Sequence, residues 1–216
     1  MDTGLPRSWG SLERVVRQTG HVLADIEAVV LTHGHFDHVG FADRARRQLG
    51  VAVWAPADDR HVVAHPWDYD HEKPRLGYAL RHPGFDRIFL QMGLYGALWV
   101  KGVEDVRPYA PGDVLDVPGR PQAIGTPGHT YGHCSLLLAD RGVLLAGDAV
   151  VTFDPYIATA GPQIVSRAAT ADSARARASL DAVAACGAEI VGTGHGPVWR
   201  QGAASLAEQA RAAPVT

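Results

Sequence analysis

The sequence predicts an α/β layered domain. Short apolar runs with strand character recur along the whole chain, helical stretches are interleaved with them, and glycine or proline marks most junctions between the two. A length of 216 residues suits a single domain spanning 1–216.

Taken in order, residues 12–20 place Leu12, Val15 and Val16 on one helical face and close on Gly20. Residues 25–32 read as a strand that becomes fully buried towards its end. A helix over residues 37–49 stops at Gly50, and a strand follows over residues 51–54. Between residues 61 and 101 the periodicity is poor. Residues 65–71 read as a loop, and residues 87–100 as a helix weakened by Gly93 and Gly96. Residues 106–146 alternate apolar runs with Pro/Gly punctuation, the pattern of several strands joined by tight turns. A helix over 171–186 closes on Gly187, a strand covers 189–192, and a last helix covers 205–213.

Composition narrows the function. Lys and Arg total 20 against 23 Asp and Glu, so there is no basic excess of the kind a nucleic-acid binder needs. No apolar run is long enough to cross a bilayer, and no export signal opens the chain, so a cytoplasmic protein is expected. Cys134 and Cys186 then read as buried thiols in a reducing compartment. Lone histidines such as His21, His61 and His82 read as ordinary surface or core residues.

The segment His33-Gly34-His35-Phe36-Asp37-His38 is different, because it puts four metal-ligand side chains at the end of a buried strand. Residues two apart in extended chain project the same way, so His33 and His35 can serve one ion while Asp37 and His38 serve another nearby. Such a cluster left uncompensated carries a heavy desolvation cost, which a cation removes. Imidazole and carboxylate donors suit zinc, and also iron or manganese. His129, Asp148 and His195 each stand in a glycine-bearing segment after a strand-like run, where loops on a rigid sheet can converge.

Thr32-His33-Gly34-His35-Phe36-Asp37-His38, followed in order by His129, Asp148 and His195, resembles the metallo-β-lactamase superfamily over nearly the whole chain. The resemblance implies an αββα sandwich of two packed sheets flanked by helices. It implies that His33, His35 and His129 hold one divalent metal ion, that Asp37, His38 and His195 hold a second, and that Asp148 bridges them. Asp2-Thr3-Gly4 is similar to a family motif that ends an early strand. Relatives carry strands before it, so the first sheet is expected to lack N-terminal strands. A second copy of the chain is one way to cover the bare edge.

Two such cations make water nucleophilic near neutral pH, so the expected activity is hydrolysis of an ester-like bond (thioester, lactone or amide) in a small molecule. Asp37 is a candidate to steer the nucleophile or pass its proton. Ligand histidines usually donate their second ring N–H to a partner, and Thr32, Thr130 and His133 are the candidates. His65, Tyr69, His71, Phe153 and Tyr156 are candidate substrate contacts. Acyl-homoserine lactonases share the His33–His38 motif, but the tyrosine they carry three residues after the bridging aspartate is Val151 here. Two other readings fit the motif: a mononuclear-iron persulfide dioxygenase, and a non-catalytic protein stabilised by metal.

Overall fold

The computed structural model describes residues 1–74 and 85–216. His82 lies outside the described residues. After a helix α1 (Trp9–Gln18), strand β1 (Ala28–Val30) leads through helices α2 (Phe36–Val39) and α3 (Ala42–Leu49) to β2 (Ala52–Pro56). Helices α4 (Arg60–Ala64) and α5 (Phe85–Leu94) precede β3 (Arg107–Tyr109). These three strands form a parallel sheet in the order β1-β2-β3, which is why helical crossovers separate them.

A second sheet takes β4 (Gln122–Gly125), β5 (Cys134–Leu138), β6 (Val143–Gly147) and, later, β9 (Ile190–Thr193), in the order β4-β5-β6-β9. Its first two pairings are antiparallel and β6–β9 is parallel. Between β6 and β9 run an antiparallel hairpin, β7 (Val151–Asp154) with β8 (Thr159–Gln163), and helix α6 (Ser173–Ala185). Helix α7 (Ala203–Ala212) follows β9.

Alternation along the strands builds the layers. Val30, Tyr109, Ala123, Cys134 and Leu136 pack together between the sheets. Val29 and Leu31 face the other way, against Val39, Ala42 and Ala45 of the first helical layer. In β6, Leu144 and Ala146 meet Leu180, Val183 and Leu206 of α6 and α7, while Leu145 turns inward. The result is the αββα sandwich. Removing the Leu144 side chain beyond Cβ, at a site with 0% exposure, would cost about 2–5 kcal/mol.

The sheets are linked at one rim, where the Cys134 N–H donates to the Thr32 carbonyl at 3.0 Å. Nearby the Tyr109 hydroxyl donates to the Leu31 carbonyl at 2.6 Å. At the other rim, Ala28, Pro121 and Leu138 flank a cavity of about 300 Å³.

Several expected boundaries move. The strand expected over 25–32 is shorter, because a 3-10 turn at Leu23–Asp25 precedes it, with the Val22 N–H held by Asp25 Oδ2 at 2.9 Å. The helix expected over 37–49 is two helices broken at Gly40. There the N-terminal segment crosses so closely that a Cβ on residue 40 would lie 1.5 Å from the Gly4 carbonyl oxygen. The first helix starts earlier than expected because Trp9 packs edge-on against Phe41, at 5.4 Å between ring centroids. The segment of poor periodicity contains α4, whose five residues are too few to display a helical repeat. Helix α5 ends at Leu94, and a separate 3-10 turn covers Ala97–Trp99. Beside β1, the Asp2 N–H donates to the Val30 carbonyl at 2.9 Å. Cys134 is buried as expected and burial pushes its thiol up to about 12, whereas Cys186 is only half-buried; both are free thiols. Among the described residues no helix is long and apolar enough to cross a membrane.

Candidate metal centre

Four strand ends supply the candidate ligands. The chain leaves β1 through Leu31 and Thr32 into His33, His35 is extended at the start of α2, and the first turn of α2 carries Asp37 and His38. His129 follows β4, Asp148 directly follows β6, and His195 follows β9. Strand ends on a rigid sandwich bring together residues more than 160 positions apart in sequence.

Three sets of donor atoms result, each within 4.8 Å of one another: His33 with His35 and His129, His33 with His38 and Asp148, and Asp37 with His38 and His195. Asp148 is common ground. Its Oδ2 is 3.3 Å from Nε2 of both His129 and His195, and its Oδ1 is 3.5 Å from His38 Nε2. Asp37 Oδ2 lies 3.2 Å from His195 Nε2 and 3.9 Å from His38 Nε2. Close approach is required here: a Cβ on residue 194 would stand 2.0 Å from Asp148 Oδ1, so glycine is the residue that fits.

The far side of each ring shows which nitrogen points inward. Thr32 Oγ1 donates to Asp2 Oδ2 at 3.0 Å, which leaves it to accept from His33 Nδ1, also at 3.0 Å. Thr170 Oγ1 donates to the Val165 carbonyl at 2.8 Å and so accepts from His129 Nδ1 at 3.3 Å. His38 Nδ1 is 3.0 Å from Asp2 Oδ2. With Nδ1 carrying the proton, Nε2 of His33 and of His129 presents its lone pair to the centre. His33 Nε2 and His129 Nε2 are buried in no hydrogen bond. Buried polar atoms are normally partnered, so inward-facing lone pairs beside two carboxylates fit divalent cations.

The electrostatics of the two sides differ. Burial pushes His129 down to about 4, with Asp148 offsetting only part of the effect. Burial also lowers His33 well below the usual imidazole range, helped by His38 and His35. On the other side burial is outweighed: Asp148 and then Asp37 raise His195 to about 10, and Asp148, Asp2 and Asp37 raise His38 well above its usual value. Burial opposes ionisation of Asp148, yet His195 and His38 hold its carboxyl well below the carboxylate range, and His38 and His195 lower Asp37.

His133 stands behind the centre with both nitrogens engaged. Its Nε2 accepts from the Asp148 N–H at 3.0 Å, so Nδ1 donates to Thr126 Oγ1 at 2.8 Å. A relay continues from Thr126 to Ser135 Oγ at 3.0 Å, which donates to the Ala146 carbonyl at 3.0 Å. Burial holds the ring neutral by pushing it down to about 3. Thr130 departs from expectation. Its hydroxyl donates to Asp59 Oδ2 at 2.6 Å, and Thr170, from a segment distant in sequence, is the residue that meets the His129 ring.

Of the candidate substrate contacts, Tyr69 lies against His35, with ring centroids 3.7 Å apart, and its hydroxyl is 3.4 Å from that of Tyr156. His65 is exposed beside His61, at 5.0 Å between centroids, and His71 is exposed. Phe153 is half-buried in β7. Trp67 stacks on Phe36 at 4.0 Å, which pins the loop 65–71 over the His33–His38 segment. A cavity of about 460 Å³ opens on Asp37, His38 and His195, with walls from Leu5, Met92 and Pro155. A second, of about 270 Å³, adjoins Tyr69, Thr130 and Tyr131. Sequence reasoning missed Asp59, Thr126 and Thr170, and gave Asp2 no role towards the histidines.

A family model described as the metallo-beta-lactamase superfamily matches residues 1–195. Over 169 residues the chain is 28% identical to the probable metallo-hydrolase YflN of Bacillus subtilis, covering 71% of this chain and 56% of that protein. Over 142 residues it is 24% identical to the hydroxyacylglutathione hydrolase GloC of Haemophilus influenzae, covering 65% of this chain and 58% of that one. The chain therefore spans little more than half the length of these relatives. The metallo-beta-lactamase family protein TTHA1429 from Thermus thermophilus superposes with a TM-score of 0.69 at 26% identity, covering 98% of this chain and 68% of that one. TTHA1623, solved in a di-iron-bound form, superposes with a TM-score of 0.62 at 22% identity, covering 97% and 86%, a likeness of fold.

Proposed function

Because the chain belongs to the metallo-beta-lactamase superfamily, we propose that it is a metal-dependent hydrolase that binds two divalent cations and cleaves an ester-like bond of a small molecule. Thioesters, lactones and amides are the bonds in question. His33, His35 and His129 would hold one cation, Asp37, His38 and His195 the other, and Asp148 would serve both. Zinc is the cation the donor set suits best, with iron and manganese next. The observation that carries this reading is Asp148 Oδ2, 3.3 Å from an imidazole nitrogen of each set. The names of the relatives, a metallo-hydrolase and a hydroxyacylglutathione hydrolase, support hydrolysis as the reaction class.

When bound, the cation pair supplies Lewis acidity and a nucleophile derived from water near neutral pH. The chain's own residues do the rest. The 460 Å³ cavity admits substrate to the Asp37 and His195 side, and its wall at Leu5, Met92 and Pro155 offers apolar contact to it. Asp37 faces this cavity and can hold the proton that water gives up as it adds to the carbonyl carbon. As the bond to the leaving oxygen, sulfur or nitrogen breaks, the same proton passes to that atom. The products are a carboxylic acid and a thiol or amine, or, from a lactone, a single hydroxy acid. Residues 65–71, anchored by the Trp67–Phe36 stack, bring Tyr69 to the opposite side.

Metal stoichiometry followed by a panel of chromogenic thioesters, lactones and amides tests the proposal. Two ions per chain with turnover on one of these classes is the expected result. One iron per chain with oxygen uptake on persulfides would replace hydrolysis by oxidation, and metal-dependent melting without turnover would leave only a structural role.

A further inference from the structure

We propose that Asp59, beside the N-terminal end of α4, is a positioning residue that aligns the His33, His35 and His129 set; this rests on the reading that the set holds a cation. Asp59 is 1% exposed, although its neighbour Asp58 is exposed. Its Oδ2 accepts from the Gly34 N–H at 3.0 Å and from Thr130 Oγ1 at 2.6 Å, and its Oδ1 accepts from the Gly132 N–H at 2.8 Å. Gly34 is the residue between His33 and His35, and Thr130 directly follows His129. One carboxylate therefore fixes the backbone of both segments that carry the three imidazoles, without touching any imidazole itself.

A buried carboxylate is costly unless every oxygen is satisfied, and three donors satisfy this one. Two of the three are backbone amides, which can only donate. A neutral amide at position 59 must turn its NH₂ towards at least one of the donors, so Asn is a close steric match but an electrostatic misfit. Asp2 backs both sets: its Oδ2 is 3.0 Å from His38 Nδ1 and accepts at 3.0 Å from Thr32 Oγ1, which holds His33 Nδ1, and its Oδ1 accepts from the Thr32 N–H at 2.8 Å. Asp59 thus bonds only the segments of one set, whereas Asp2 reaches a ring of each. Perturbing Asp59 should not perturb both sets equally.

The experiment compares parent protein, Asp59→Asn, Thr130→Val and Asp2→Asn by chelator competition with zinc alone and by absorption spectra of the cobalt-substituted protein. Melting is measured with and without metal. Asp59→Asn is expected to weaken one of the two ions about 10–100-fold while the other keeps its affinity and spectrum. Thr130→Val, which deletes one donor and leaves the backbone amides in place, should weaken the same ion by less. Asp2→Asn, whose carboxylate reaches a ring of each set, should weaken both ions. Should Asp59→Asn fail to fold, Thr130→Val carries the test alone. In Asp59→Asn and Thr130→Val, unchanged ion affinities, equal weakening of both ions, or melting lowered by the same amount with and without metal would each overturn the proposal. A parent chain that takes up two ions while the variants behave like it defeats only the role of Asp59. A parent that takes up none defeats the functional reading as well.

Discussion

His33, His35 and His129 are buried imidazoles on loops tied down from behind, whereas Asp37 and His195 reach partly into solvent beside a second carboxylate. In the metal-free chain His33 and His129 are held towards the neutral form, because burial is the largest influence on each ring. The second set already contains cations of its own, since Asp148 and Asp37 draw protons onto His195 and His38. The same electrostatic vacancy is thus left open on one side and filled by protons on the other. A divalent ion entering the first set meets ready donors; one entering the second must displace protons.

The severest way to break this contrast is to remove what the two sets share. Asp148→Asn keeps the size of the side chain and discards the charge adjoining His129, His195 and His38. Both ions should be lost from the purified protein, with activity on the best substrate of the panel falling by more than about 100-fold, beyond the usual effect of a supporting residue. Two ions retained would show that Asp148 is not common to them.

Gly194→Ala is the next largest and should be lopsided. The added methyl would meet His38 Cε1 at 2.9 Å and, at 2.0 Å, Asp148 Oδ1, the oxygen of the shared carboxylate that lies 3.5 Å from His38 Nε2, so the proton-rich side takes the larger displacement. Weaker binding of one ion, with the second retained, is expected in metal titrations followed by calorimetry. His133→Ala acts from behind both sets by leaving the buried Asp148 N–H without its acceptor. It should cost about 1–3 kcal/mol of stability in denaturant unfolding and about 10–100-fold in ion affinity.

The mildest perturbation is pH. His195, raised to about 10, is protonated at neutral pH in the metal-free protein, so cation uptake at its set releases protons. Apparent affinity there should climb about tenfold per pH unit for each displaced proton, levelling off as pH approaches 10. His129, pushed down to about 4, is already neutral above pH about 5, so the other set should show no such slope from its titration. Proton release measured with an indicator dye in weak buffer would sharpen the contrast, and equal slopes for both ions would erase it.

How much of this was legible beforehand follows from where the information lies along the chain. His33 to His38 could be read because four donors fall within six consecutive residues and strand geometry relates them directly. His129, Asp148 and His195 stand out only as polar residues in glycine-bearing segments after strand-like runs, and their ligand roles rest on the resemblance, since nothing local distinguishes Gly194-His195-Gly196 from a turn. Asp59 was invisible for a plainer reason. An acidic residue at the start of a helix is ordinary, and its role depends on Gly34 and Gly132, brought to it by two different strands. The broken helix at Gly40 shows the same limit, because its cause is the carbonyl of Gly4 crossing from outside the segment.

The backbone link from the Cys134 amide to the Thr32 carbonyl has a dynamic consequence. A sandwich tied at the ligand-bearing rim opens more readily from the other, so deuterium should enter earlier at the Ala28 and Leu138 amides than at Cys134. Such a gradient would let the ligand-bearing rim stay in register while the rest of the interlayer seam fluctuates, rather as a hinge keeps its leaves aligned at the pin.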